Sequence, residues 1–510
     1  MEQKNYNGEG SIIKKNFSGE NQTEVLCEYT LPDYFPDIKR ILHVFSDVRK
    51  TGMYVSDDKI EYEGCVSCSV LYRGEDKSLQ CAEFKAEFSD RIQIKGENGA
   101  VCDVVFSPKN MTLRALTPRK VSLKARIETH TDVWEEERIT PEIKGVSIED
   151  KIERLTQNIG FSEISVCEET GIGVSEDINV PDNMPTVERV IHTLIHPHQT
   201  EVKGAEGKAF VRTELRGAVV YEAGDTAGKI AVMPVNISVS HIVQCENMTD
   251  DSVCIGKINV YDITSAVTEN TNGEKRVIEL DFLYDIKILS STEKFVTAPY
   301  DMYAVGCSGF PEYKSIKCDK SPYSLKGNFS VNAQLEKDVC ENITGNISLC
   351  TGNVENASYS INDGRLVCTG TCDICAVYEG EGYDSVRVSV PFKGEIDIPQ
   401  KNLNKAVCAV CRCGDVKIRY DGENYFADTE IYVDSVLSEE CSYNVIQSIG
   451  FENKAAGDKR GTFTFYYPTS DEGVWDVAKK YGVPTEVIKS ANGISDLISH
   501  KNVILIPKKH

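Results

Sequence analysis

The chain has 510 residues, which at ~150 residues per domain sets a prior of three to four domains. Its acids outnumber its bases 79 to 56, for a net charge of −23 and a pI near 4.9. A nucleic-acid binder needs clustered Lys and Arg to displace counterions, so that class of partner is set aside. No run of 18 apolar residues is present, so no transmembrane segment is expected. The start, Met1 to Gly10, lacks an apolar signal core, and the expectation is a chain that stays where it is made. Its nineteen cysteines are then read as thiols, used mostly as small buried apolar groups.

The chain repeats itself. Leu31-Pro-Asp-Tyr-Phe-Pro36-Asp-Ile38-Lys-Arg-Ile41-Leu42-His43 returns as Val180-Pro-Asp-Asn-Met-Pro185-Thr-Val187-Glu-Arg-Val190-Ile191-His192. The offset is 149 without a gap, and it continues from Val66 to Leu215, Val70 to Val219 and Tyr72 to Tyr221. A weaker third copy, Gly370-Thr-Cys-Asp-Ile-Cys-Ala-Val-Tyr378, matches Gly64 to Tyr72. Pro36 can open a helix, and Ile38, Ile41, Leu42 and Phe45 carry helical spacing, so one short helix per unit is expected here. Val187, Val190, Ile191 and Leu194 repeat that stripe. Elsewhere the period is two, as in Val66-Cys68-Val70-Tyr72, Val121–Ile127, Val277–Tyr284 and Val386-Val388-Val390. The fold class is therefore mainly β: tandem sandwich or open-barrel repeats at 1–145, 146–315 and 316–451, each with a short helix.

Residues 452–461 are polar and Gly-containing and read as a linker. Beyond it, 462–510 balance six Lys against five acids, leaving −24 on 1–461. Thr462–Tyr467 reads as a strand, followed by helices around Val474–Tyr481 and Val487–Ala491 and a closing strand at Val503–Ile506. Ser470 or Asp471 is the expected cap of the first helix, and Gly482 its stop.

Val474-Trp-Asp-Val-Ala-Lys-Lys-Tyr-Gly-Val-Pro-Thr-Glu-Val-Ile488 with Asn492-Gly493 and Ile504-Leu-Ile-Pro507 is similar to a LysM domain, a βααβ module. The phrase from Leu31 to Leu42 and the strand ending at Tyr72 resemble the SPOCS-type domain of SipL-like spore coat morphogenetic proteins. Those proteins also end in a LysM module. The resemblance implies a non-enzymatic adaptor in the mother-cell cytoplasm, tethering the coat to the forespore surface through a coat scaffold ATPase. It places the partner loops at Asp471, Glu472, Gly473, Val474 and Trp475, and at Ala491, Asn492, Gly493 and Ile494. LysM loops usually carry Gly-Asp-Thr where this chain has Asp471-Glu472-Gly473, which favours a protein ligand over N-acetylglucosamine-containing glycan. A glycan-binding wall protein is the alternative.

Cys65-x-x-Cys68, Cys372-x-x-Cys375 and Cys408-x-x-Cys411 invite a metal reading. On strands, however, residues three apart face opposite ways, so no metal and no cofactor is assigned. His192, His196 and His198 are read as a helix end, where cationic side chains suit the dipole. No phosphate loop, zincin motif or nucleophile elbow is present, and no catalytic residue is named.

Overall fold

A computed structural model describes residues 10–56, 58–94, 101–145, 152–225, 228–334, 347–380, 382–422, 424–453, 463–469, 472–495 and 503–507. Six strands come first: β1 (Ser11–Thr30), β2 (Ile38–Val55), β3 (Lys59–Gly74), β4 (Leu79–Gln93), β5 (Val101–Thr117) and β6 (Lys120–Arg138). They form two antiparallel sheets, β1-β6-β5 and β2-β3-β4. Val25, Val66, Cys68, Phe84, Phe106 and Leu123 close the space between the sheets.

A short strand, β7 (Glu142–Gly145), leads to β8 (Ile152–Asn179), β9 (Val187–Ala205), β10 (Lys208–Ala223), β11 (Ile230–Gln244), β12 (Val253–Glu269) and β13 (Lys275–Ala304). Their sheets are β8-β13-β12 and β9-β10-β11, the same order as in the first six. The chain continues into β14 (Cys307–Gln334), β15 (Ile347–Asn362), β16 (Arg365–Gly380), β17 (Gly382–Asp397), β18 (Lys405–Cys413), β19 (Lys417–Tyr420) and β20 (Tyr425–Asn453). Here β14-β20-β18 faces β15-β16-β17, with β19 and the parallel strand β7 also paired to β20. Each set is thus a sandwich of a three-strand meander on a sheet made from the first strand and the strands that follow the meander. No barrel closes among the described residues.

The expected helix after each proline pair is not formed: both segments are strands, β2 and β9. The reason lies in two bulges. Register slips between Ile38 and Arg40 and again between Ile41 and His43, and at the same offsets between Val187 and Arg189 and between Val190 and His192. Each bulge moves the side-chain phase by one. Ile38 and Ile41 therefore face the inner core while Leu42 and Phe45 face outward into a second apolar cluster. Val187 and Val190 divide from Ile191 and Leu194 in the same way. A bulged strand buried on both faces reproduces helical spacing, and the β-branched Ile and Val residues favour the extended form.

The proline segments themselves are crossovers from one sheet to the other. The Tyr72 hydroxyl donates to the Pro36 carbonyl (3.1 Å), and Tyr221 does the same to Pro185 (3.0 Å). Both tyrosines are fully buried. Arg119 reaches the carbonyls of Pro32 (2.8 Å) and Phe35 (3.2 Å), and Arg276 those of Pro181 (3.1 Å) and Met184 (2.9 Å). Prolines cannot donate, so each crossover offers chiefly acceptors, and a tyrosine and an arginine supply the donors.

The three sandwiches close a ring. β4 packs on β9, β11 on β15, and β17 on β2. Leu42, Leu71, Ile191, Val220, Leu349 and Val377 meet at its centre. The other sheets meet through Trp134, Ile164, Leu289 and Val436. Across the first junction Lys50 pairs with Glu168 (2.5 Å), and Arg49 lies 3.9 Å over the ring of Tyr261. No helix of the described residues is long and apolar enough to cross a membrane.

Tyr72→Phe removes the donor to the half-buried Pro36 carbonyl. We expect a loss of about 1–2 kcal/mol in urea unfolding of the full chain. An unchanged midpoint and slope would show that the crossover does not depend on this bond.

Candidate functional site

The C-terminal segment forms β21 (Phe463–Tyr466), α1 (Val474–Tyr481), α2 (Thr485–Asn492) and β22 (Ile504–Pro507), with β21 and β22 antiparallel. β20 runs through Asn453, so Glu452 and Asn453 are paired strand residues, and the remainder of the expected linker, 454–461, lies outside the described residues. Asp471 and the cap at Ser470 also lie outside them. Gly473 takes the cap position in extended backbone, its N–H donating to Asp476 (2.8 Å). Gly482 and Gly493 end the two helices with φ of 65° and 60°, a left-handed conformation that glycine adopts without a Cβ penalty.

Of the expected partner loops, much is committed within the chain. Val474 is core, packed with Val477, Ala478, Ile488 and Ile506. Glu472 accepts from the Tyr466 hydroxyl (2.8 and 2.6 Å to its two oxygens) and the Thr469 N–H (3.0 Å). These bonds, with Lys480 nearby, hold its carboxyl down at about 2. Asn492 braces the second helix to β22: it donates to the Ile488 and Leu505 carbonyls (2.8 and 2.7 Å) and accepts from Leu505 N–H (2.7 Å). Ala491 and Gly493 are exposed, and Ile494 is half-buried against the module core.

Trp475 points at the second sandwich. Its indole N–H donates to Asp301 (2.7 Å), and its ring meets Tyr303 edge-on at 4.9 Å. Lys479, one turn on, reaches the other oxygen of Asp301 (2.6 Å). The buried Tyr303 hydroxyl donates to the Val483 carbonyl (2.9 Å), and Thr485 to Glu153 (2.9 Å). One side of the module is therefore seated on the ends of β8 and β13. The opposite character appears on β21 and the residue after it, where alternation turns Tyr466 inward and leaves Phe463, Phe465 and Tyr467 at 54, 69 and 71 % exposure. The sequence signal for this stripe was Phe463-Thr-Phe-Tyr-Tyr467, five residues with aromatics on both faces.

The histidines lie on β9, not at a helix end, so the dipole account of them does not hold. His192 is buried and stacks on Phe45 at 4.7 Å, burial pulls the His196 imidazole below its ordinary pKa, and His198 meets Tyr432 edge-on at 5.0 Å. The paired cysteines face opposite ways as strand geometry requires: Cys372 and Cys411 enter the inner core, whereas Cys375 and Cys408 enter the junctions between sandwiches. Every cysteine among the described residues is a free thiol. Cys372 and Cys413, and Cys318 and Cys441, lie 3.5 Å apart, pairings set by sheet packing that spacing alone did not indicate.

Two outcomes are expected of the module. Asp301→Asn weakens both charge-assisted bonds and loosens the seat by about 1–3 kcal/mol. Trp475 emission then shifts to the red while buried Trp134 contributes equally in both spectra; superimposable spectra would contradict the seat. Glu472 has its folded pKa depressed from 4.5 to about 2, so its stabilisation is complete above 4.5 and is lost as pH falls toward 2. The acid sensitivity of the module's melting is therefore smaller in Glu472→Gln than in the parent, and equal pH profiles would refute this.

Among known families, residues 37–116 match the SipL, SPOCS domain model. The match spans β2 to β4 and nearly all of β5, the meander with its bulged strand and buried Tyr72. It supports kinship of this segment with SipL-like sporulation proteins. No curated protein and no solved structure matches the chain.

Proposed function

We propose that this chain is a non-enzymatic adaptor of spore coat assembly, which tethers the coat to the forespore surface by binding a coat scaffold ATPase. In this reading 1–145, 146–315 and 316–451 are SPOCS-type repeats forming a rigid platform, and 462–510 is a LysM-like docking element reached through 452–461. The match of residues 37–116 to the SipL, SPOCS domain carries it. The 1-6-5 and 2-3-4 strand orders recur in the first two units, and the third keeps the 2-3-4 meander with its first strand paired to its last, which supports extending the reading along the chain.

The exposed Phe463, Phe465 and Tyr467 are the contact we assign to the docking element, in place of Glu472, Trp475 and Asn492, which are engaged within the chain. Aromatic side chains give large contact area at small entropy cost, a property of protein-binding surfaces. The strongly acidic platform contributes solubility and favours a basic partner face.

The test is the full-length protein in a sporulating host. Localisation at the forespore periphery and co-purification of the scaffold ATPase are expected, with recovery reduced about tenfold in Phe465→Ala/Tyr467→Ala, a double loss of ~1.4 kcal/mol or more. Diffuse localisation without recovery of the ATPase overturns the reading. Retention on peptidoglycan or chitin oligomers instead would favour the glycan-binding alternative.

A further inference from the structure

We propose that Cys81, Glu83 and His192 form a zinc-type site that ties the first sandwich to the second. Cys81 and Glu83 are two apart on β4 and so share a face, and His192 comes from β9 across the junction. The Cys81 thiol sulfur lies 3.5 Å from His192 Nδ1, and a Glu83 carboxylate oxygen 3.6 Å from the same nitrogen. All three ligand atoms fall within 4.8 Å of one another. A tetrahedral zinc with bonds of ~2.3 Å to sulfur and ~2.1 Å to nitrogen and oxygen sets S···N at about 3.5 Å and N···O at about 3.4 Å. The spacing fits without rebuilding either strand.

The chemistry fits as well. A thiolate and a carboxylate together neutralise a dication, the thiol proton being released on binding. The soft sulfur selects zinc or a similar borderline cation over magnesium or calcium. His192 is only 7 % exposed, its ring is held by stacking on Phe45, and all its hydrogen-bonding contacts run through Nδ1, since Nε2 has no partner. Glu83 is exposed and oriented by Ser69, which donates to it at 3.2 Å, giving solvent access for the ion and room for a water as fourth ligand.

The next junction supplies an internal comparison. At the offset of 149, Cys81 and Glu83 correspond to Ile230 and Val232 on β11, which join the apolar cluster at the ring centre. The chain thus builds one junction from aliphatic side chains and places a thiol, a carboxylate and an imidazole at its counterpart. With Glu83 exposed, the cost of burial falls on the Cys81 thiol and the His192 ring, and a bound cation offsets it. The site is independent of the proposed role in coat assembly.

The experiment uses full-length protein, stripped with a chelator, kept reduced, and titrated with cobalt(II) and then zinc. Expected are one cobalt per chain with a thiolate-to-metal charge-transfer band, displacement by zinc, and a zinc-dependent rise in melting temperature. Cys81→Ser abolishes the band, and Glu83→Gln, an exposed change that leaves the fold intact, weakens affinity about tenfold or more. Absence of the band overturns the proposal. So does a band equally strong in Cys81→Ser and Glu83→Gln, which would place the metal on other thiols.

Discussion

A buried tyrosine hydroxyl bonded to a proline carbonyl holds each of the first two sandwiches in shape. The chain must cross from one sheet to the other after its first strand, and the crossover exposes carbonyls inside the protein. Tyr72 and Arg119, and then Tyr221 and Arg276, satisfy them from the meander and from the start of the last strand. That bond joins the third strand to the crossover and so sets how the two sheets face one another. The bulges of β2 and β9 follow directly after it, and their phase shift sends one pair of apolar residues inward and the next outward.

The outward pair is what makes a ring out of three sandwiches. Leu42 and Ile191 would be solvent-facing in a free-standing sandwich, but here they meet Leu71, Val220 and Val377 at a shared centre. Each meander is therefore apolar on its outer face as well as its inner one, and the ring is what covers the outer face. The ring also explains where polar chemistry can sit: at the junctions, where strands from different sandwiches bring Cys81 and Glu83 against His192.

The C-terminal module departs from this plan in size and charge. Its seat on Asp301 and Tyr303 uses Trp475 and Lys479, and the remaining aromatic face of β21 is turned away from its own core. Three sandwiches in a ring thus carry a small element with one face engaged and another bare, the arrangement on which the proposed adaptor role draws.

The sequence by itself determined the repeat, its offset, the β character of most segments and the strand–helix–helix–strand order at the end. Alternation and exact recurrence are local properties, readable from residue order. It misled at Ile38–Phe45, because two bulges and two buried faces imitate the 3.6-residue period, and bulges exist only relative to a partner strand. The thiol contacts, the seat of Trp475 and the meeting of His192 with Cys81 and Glu83 were decided by tertiary structure alone. In each case the partners lie on strands far apart in the chain, brought together by how sheets pack, and nothing in their spacing encodes that distance.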